Sequence, residues 1–449
     1  MPKVVVIGGN AAGMSAALKI KREKKDFDVF VFDSSEFLSY GACGLPYLFS
    51  KEVKDETKLF ALTEQEISER GIKIQKNEMA VDLLPGRKKV VFRNIKSGKF
   101  REESYDFLVI ATGSVAKKID VVNFEGENVF CLHTFSDALK LKNYIDNNKV
   151  YSAVIVGTGY IGLEMAECFS KSGISVSLVS NKKIFLKKLN EEFSLILAEH
   201  FSEKGVKIFT KTSISGVKKE KDKVIAIETN KGELSGDIFI YGVGVSPNTD
   251  FLKNSGLSFE NNEAIKVDEK CRTNLHNVYA CGDCCAVKNI LTGKYVYIPL
   301  GTTANKMGRV AGANIVGKRE EFRGVLGTSI IRVFDYEVGM TGLTLQEAKK
   351  EGFSAREVTI KSHSKPHYFD NFGVVYINLV GDNSGRILGG QIIGTEGVKG
   401  RIDTLTAIIS GKINVEEAKY LDLAYAPPFG PVWDPLLVAL YNFQKVPTI

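Results

Sequence analysis

The chain has 449 residues, 44% of them hydrophobic, with 60 Lys+Arg against 53 Asp+Glu, 42 Gly and seven Cys. That length exceeds what one core fills and predicts about three domains of ~100–200 residues, while the composition excludes a disordered, collagen-like or disulfide-stapled chain. No apolar run reaches the ~18–20 residues that span a bilayer, Met1-Pro2-Lys3 leads straight into a strand with no signal peptide, and a net charge of +7 calls for neither nucleic acid nor a membrane; a cytoplasmic protein with free thiols is expected.

Lys3-Val4-Val5-Val6-Ile7 is continuously apolar, as a strand covered on both faces of a parallel sheet must be, and ends in Gly8-Gly9-Asn10-Ala11-Ala12-Gly13. A helix is predicted next, with Ala16, Ala17, Leu18 and Ile20 inside and Lys19, Lys21, Arg22, Lys24 and Lys25 crowding its C-terminal end. Asp28 to Asp33 closes a βαβ unit. Asn10 stands where the second fingerprint glycine is expected, yet Asp33 lies 20 residues beyond Gly13, where a carboxylate can hold a ribose hydroxyl. Phe107 to Thr112-Gly113 reads as a buried strand ending in a glycine turn. Ala153 to Val156, Gly157-Thr158-Gly159-Tyr160-Ile161-Gly162, a helix through Glu164 and the strand Val176 to Val179 then repeat the unit with every glycine in place. Two such units imply two nucleotides, the helix N-termini receiving their phosphates. The second lacks the acidic residue that suits NADH and runs into Ser180-Asn181-Lys182-Lys183, which favours NADPH or tolerance of both nucleotides. Ile238 to Gly244 repeats the strand and turn, and from about Phe322 the pattern changes to an α+β domain with strands such as Val374 to Val380.

The chemistry is expected in Ser39-Tyr40-Gly41-Ala42-Cys43-Gly44-Leu45-Pro46-Tyr47. Pro46 suits the first turn of a helix whose N-terminus would stabilise a Cys43 thiolate. Position 48 is Leu, so Cys43 has no partner at dithiol spacing and would work alone, through a mixed disulfide, persulfide or sulfenate. The remaining six cysteines, including Cys281, Cys284 and Cys285, read as small packing residues, and the five histidines form no metal cluster; Pro366 spoils the spacing of His363 and His367.

Over essentially its whole length the chain resembles the single-cysteine, FAD-dependent pyridine nucleotide-disulfide oxidoreductases, and most closely the coenzyme A-disulfide reductases and their NAD(P)H sulfur- or polysulfide-reducing relatives. The matching strings are Gly8 to Gly13, Ser39 with Cys43 to Tyr47, Ala111-Thr112-Gly113, Gly157 to Glu164, Gly244 to Asn248, Tyr279 to Asp283, Ala304 to Arg309 and Tyr425 to Pro435. The resemblance implies an α/β fold with two Rossmann-like domains and a C-terminal α+β dimerisation domain. Residues 1–118 and 247–324 would form the FAD domain, 119–246 the NAD(P) domain and 325–449 the dimer domain. It places FAD on Gly8, Gly9, Ala11, Ala12, Gly13, Asp33, Ser34, Met79, Ala111, Thr112, Gly113, Gly282, Asp283 and Ala304. It places NAD(P)H on Gly157, Gly159, Tyr160, Ile161, Gly162, Glu164, Ser180, Lys182, Lys183 and Gly244. Coenzyme A would lie along Ser15, Lys19, Arg22, Ser39, Ala42, Arg70, Asn305 and Arg309. Tyr425 and, by a looser match, Tyr368 would face the partner subunit's site in a homodimer, and electrons would pass from NAD(P)H through FAD to Cys43 and a small disulfide or persulfide. NADH oxidases and peroxidases of this family typically carry a His in the first glycine turn; this chain has none before His133. An oxidase or peroxidase working through a Cys43 sulfenate is the alternative enzyme, and a flavin-bearing redox sensor the alternative of another class.

Overall fold

The computed structural model describes residues 1–445. Its first sheet is all parallel, in the order Val278–Ala280, Phe107–Ile110, Lys3–Ile7, Asp28–Phe32, Ile72–Gln75. Val4, Val5 and Val6 are fully buried because the sheet is covered on both faces. Helix α1 (Ala11–Glu23) follows the first strand; Gly8, at φ +104°, makes the turn, and a Cβ on Gly13 would lie 1.9 Å from the Gly8 carbonyl oxygen. The second unit repeats the plan in a parallel sheet of Lys207–Phe209, Ser175–Val179, Ser152–Val156, Ile238–Tyr241 and Val129–Cys131, with α2 (Tyr160–Lys171) after its central strand. There a Cβ on Gly162 would meet the Gly157 oxygen at 1.9 Å. Steric demands of this kind are why glycine stands at those positions.

The chain crosses between the two sheets at Ser114–Ala116 and Val245–Pro247, which pair with each other as antiparallel strands. Back in the first unit, helix α3 (Gly301–Ile315) lies against α1 with very small residues at the contact. A Cβ on Gly308 would sit 2.1 Å from the Ala12 carbonyl oxygen, and one on Gly312 2.6 Å from that of Ala16.

The C-terminal domain is a five-stranded antiparallel sheet, Ser329–Val333, Tyr336–Gly342, Ile387–Gly394, Val374–Asp382, Ala355–His363. Helices α4 (Val398–Gly411) and α5 (Pro435–Lys445) pack on it. The buried Arg401 guanidinium of α4 holds both oxygens of Asp434 and so anchors the segment that carries Tyr425. One apolar core crosses all the boundaries: Leu45 and Phe49 beside Cys43, Leu163, Met165 and Phe169 of α2, and Ile331, Val333 and Phe334 of the C-terminal sheet belong to a single buried cluster. No helix among the described residues is long and apolar enough to cross a membrane.

The α1–α3 contact gives a direct test. Gly308→Ala gains up to ~1 kcal/mol of helix propensity but drives a methyl group into backbone, and a net loss of about 1–3 kcal/mol is expected in chemical denaturation. An unchanged or raised midpoint would contradict the packing.

Candidate active site

The first glycine turn is built around Asp33, whose carboxylate accepts the Gly9 N–H at 2.6 Å and the Ser35 N–H at 2.7 Å. Burial pushes this carboxyl up against those two hydrogen bonds. Asn10 replaces the expected glycine for a local reason: its side-chain oxygen accepts the Tyr40 N–H, and the Ser39 N–H reaches the Gly9 carbonyl, so the segment leading to Cys43 is stitched onto the turn. Ser39 itself is buried, at φ +55°.

Neither α1 nor α2 has a side-chain N-cap, so the first-turn N–H groups of both helices are left to an anion. Thr112 donates its hydroxyl to the Asn248 carbonyl at the crossing between units. Asp283 is pushed up by burial while His133 pulls it down; the His133 imidazole donates to the Ser114 carbonyl at 2.8 Å. The Tyr297 hydroxyl nearby is buried with no hydrogen-bond partner in the protein, beside Asp283. An uncapped helix, a close glycine turn and an orphaned hydroxyl beside a carboxylate fit an FAD lying from Gly8 to Asp283. Ala304 is buried behind that line, Ser34 is exposed, and Met79 is 38% exposed at its edge. Neither His133 nor Tyr297 belongs to a motif, so sequence reading passes over both.

Cys43 sits in a single 3₁₀ turn, Ala42–Gly44, and is exposed. No helix follows: Pro46 opens a second 3₁₀ turn that ends at Leu48, which corrects the expectation of a thiolate stabilised by a helix N-terminus. Leu45 and Phe49 are turned into the shared core, Phe49 edge-on to Phe169 at 5.7 Å. Among protein groups alone the thiol is pushed up, first by desolvation and then by the Glu164 and Asp283 carboxylates. Of the other cysteines, Cys168, Cys271, Cys281, Cys284 and Cys285 are buried and Cys131 is half-buried.

The Tyr47 hydroxyl, four residues on, donates to Glu164 at 3.2 Å. Glu164 is mostly buried, and its carboxyl is pushed up to about 7, chiefly by that burial. One turn further along the same helix, Glu167 is 1% exposed and takes the Phe334 N–H at 2.9 Å, Lys171 at 2.6 Å and Arg332 at 3.3 Å. Arg332 also grips both oxygens of Glu52, at 2.6 and 2.8 Å, and stands over the Tyr47 ring. Tyr47 lies in the same motif as Cys43, whereas Arg332 and Glu167 fall in no motif.

In the second unit Gly157, Gly159 and Ile161 surround the start of α2, and Tyr160 hydrogen-bonds Ser329 at 2.6 Å. A Cβ on Gly159 would come no closer than 3.9 Å to protein, so this glycine answers to a ligand rather than to packing. Ser180 is buried, its hydroxyl accepting from Thr158 and from the Lys182 N–H, and Lys183 is paired with Glu191. Lys182 is exposed.

The residues expected to hold coenzyme A divide. Ser15 donates to Asn305 across the α1–α3 contact at 2.7 Å, with Arg22 and Arg309 exposed on the same two helices. Lys19 does not join them: it is buried, its ammonium held by Glu23 at 3.2 Å and Glu320 at 3.1 Å. That pairing corrects its expected role as a phosphate ligand. Arg70 is exposed and donates to the Glu66 carbonyl. Tyr368 and Tyr425 are neighbours on the C-terminal domain; they are 63% and 48% exposed in a surface that also bears Phe429, Val432 and Trp433. No group of three His, Cys, Asp or Glu among the described residues is arranged to hold a metal ion.

With this geometry in view, comparison with known proteins is unambiguous. Residues 2–308 match the pyridine nucleotide-disulphide oxidoreductase model and residues 328–435 its dimerisation domain. The chain is 39% identical over 440 residues to a CoA-dependent NAD(P)H sulfur oxidoreductase of Pyrococcus furiosus, covering 97% of this chain and 98% of that one. A coenzyme A disulfide reductase of Staphylococcus aureus is 28% identical, with 96% and 97% covered. The NAD-dependent persulfide reductase of A. fulgidus superposes with a TM-score of 0.95 at 32% identity, over 99% of this chain and 83% of that chain. The two dinucleotide folds, the lone exposed cysteine and these matches together establish that the chain belongs to the pyridine nucleotide-disulphide oxidoreductase family of flavin-dependent NAD(P)H oxidoreductases.

Proposed function

We propose that the protein is a homodimeric, FAD-dependent NAD(P)H reductase of coenzyme A disulfide, coenzyme A persulfide or polysulfide, working through Cys43. The observation that carries this reading is the isolation of that thiol. It is the exposed cysteine, on a turn stitched to the first glycine loop, while five of the other six are buried and the sixth is half-buried. A dithiol mechanism has no second sulfur at hand, whereas a mixed disulfide needs only one.

FAD supplies, when bound, the carrier that accepts hydride from the nicotinamide and delivers two electrons to sulfur. The chain's own groups do the rest. The Cys43 thiolate attacks one sulfur of the substrate, the first thiol departs, and a Cys43 mixed disulfide remains; two electrons and one proton then release the second thiol and restore the thiolate. Desolvation and two neighbouring carboxylates disfavour that thiolate in the protein alone. Productive charge on Cys43 therefore depends on what binds beside it. Ser15 with Asn305, and the exposed Arg22 and Arg309, supply hydrogen bonds and cationic forks suited to the phosphates of coenzyme A. Tyr368 and Tyr425 are neighbouring phenols offered to the partner subunit, where a phenol held in its protonated form can donate to the departing thiolate. Their exposed apolar surroundings suit burial in a dimer.

NADPH is the preferred donor on this reading, because the strand Ser175–Val179 ends in no carboxylate and Lys182 stands free of the ion pair that occupies Lys183.

Two substitutions test these points. Cys43→Ser is expected to cut turnover of coenzyme A disulfide and of polysulfide by at least ~100-fold, while NADPH still bleaches the flavin in stopped flow. Undiminished turnover of both would refute the reductase reading. Lys182→Glu is expected to raise the KM for NADPH about tenfold or more, the loss of one charge-assisted phosphate contact, and to leave that for NADH nearly unchanged. An unaltered ratio would remove Lys182 from the nucleotide site.

A further inference from the structure

Three parts of the chain converge on α2 at one point. The redox turn brings Tyr47 and Glu52; the helix brings Glu164, Glu167 and Lys171; the C-terminal sheet brings Arg332 and Phe334. Glu164 and Glu167 are on one helix, three residues apart, and both carboxylates turn into the junction. A carboxylate as deeply buried as Glu167 needs compensation, and it has three donors from two domains. The Arg332 guanidinium is the shared piece: it bridges Glu167 to Glu52, and its face lies 5.5 Å from the centre of the Tyr47 ring whose hydroxyl meets Glu164. Its Nε is buried and without a partner, so the group is held by its Nη and its face alone.

We propose that Arg332 and Glu167 are positioning residues that hold the Tyr47–Glu164 contact and set the charge carried by Glu164, where the Cys43 turn meets the nucleotide helix. The C-terminal domain thereby takes part in the chemistry of its own protomer, separately from any role in joining two protomers. The proposal rests on reading α2 as the nucleotide helix.

The sign of each influence follows from Coulomb's law. The groups that face Glu164 are Tyr47 and Cys43 from the redox turn, Tyr160, Glu167 and Cys168 from its own helix, and Arg332 from the C-terminal sheet, with Glu52 acting through Arg332. Burial and the Glu167 charge push the Glu164 carboxyl up; the Tyr47 hydroxyl and Arg332 pull it down. Removing the Arg332 cation must therefore move its titration to higher pH, and removing the Glu167 anion must move it to lower pH. A residue that merely filled space would give no such pair of opposite shifts.

The test uses the FAD-loaded enzyme. The infrared carboxyl band that disappears in Glu164→Gln is titrated in the parent and in Arg332→Gln, Arg332→Lys and Glu167→Gln. Expected are a midpoint near neutral pH in the parent, an alkaline shift in Arg332→Gln, a parent-like midpoint in Arg332→Lys and an acid shift in Glu167→Gln. The pH profile of flavin bleaching by NADPH is expected to move with the band. Should Glu167→Gln fail to accumulate, the two Arg332 variants decide alone, with Arg332→Lys keeping the cation beside Glu167 and Glu52. No neutral-pH band in the parent, identical midpoints throughout, or shifts in the same direction would overturn the proposal. So would a band that moves while the bleaching profile stays put. The band titration needs neither NADPH turnover nor a disulfide substrate, so its failure is distinguishable from failure at Cys43.

Discussion

The buried carboxylate of Glu167 is the constraint on which the arrangement of the site depends. A charge sequestered to 1% exposure costs several kcal/mol unless it is paired and hydrogen-bonded. Its partners here come from the helix itself, through Lys171, and from the C-terminal sheet, through Arg332 and the Phe334 N–H. Satisfying one charge thus forces two domains into a fixed relation. Glu52 extends the demand to the redox turn by taking the other side of Arg332. The apolar cluster of Leu45, Phe49, Phe169 and Phe334 fills the space beneath, so polar and apolar requirements select one geometry.

The Cys43 turn is held at both ends by different means. Its N-terminal side is fastened to the first glycine loop through backbone hydrogen bonds and the Asn10 side chain, and its C-terminal side by burial of Leu45 and Phe49 against α2. The thiol between them stays exposed. A reactive group that must be reached by substrate and must not drift is best carried by a short element pinned on each flank. The price in backbone regularity is visible: two successive 3₁₀ turns where composition suggested a helix.

How much of this the amino-acid sequence reveals depends on the range of the contact. Gly13 and Gly162 are legible because their requirement is steric and local, the carbonyl oxygen of the glycine five residues before each lying 1.9 Å from where a Cβ would stand, and Gly8 and Gly157 because the turns they make hold φ at +104° and +117°. The two parallel sheets follow from the apolar runs that end in those turns. Cys43 is legible through what is missing beside it, a second cysteine at Leu48. Lys19 is misread from sequence because Glu320, the partner that removes it from the surface, lies three hundred residues away. Arg332, Glu167 and Tyr297 are illegible for the same reason: each acquires its meaning only when distant segments fold together, and none falls in a motif. Asn10 looked like a flaw in the fingerprint. Its side chain instead does a task that glycine cannot, holding the Tyr40 N–H.

The central claim is that one sulfur, Cys43, forms the covalent link to substrate. It is tested most directly by mixing protein that carries oxidised FAD and a free Cys43 thiol with coenzyme A disulfide in the absence of NADPH, denaturing it in acid, and mapping adducts by mass spectrometry. One coenzyme A per chain, joined by a disulfide to Cys43 and released by NADPH before denaturation, is the predicted result. No adduct, an adduct on another cysteine, or one that NADPH does not release would contradict the account.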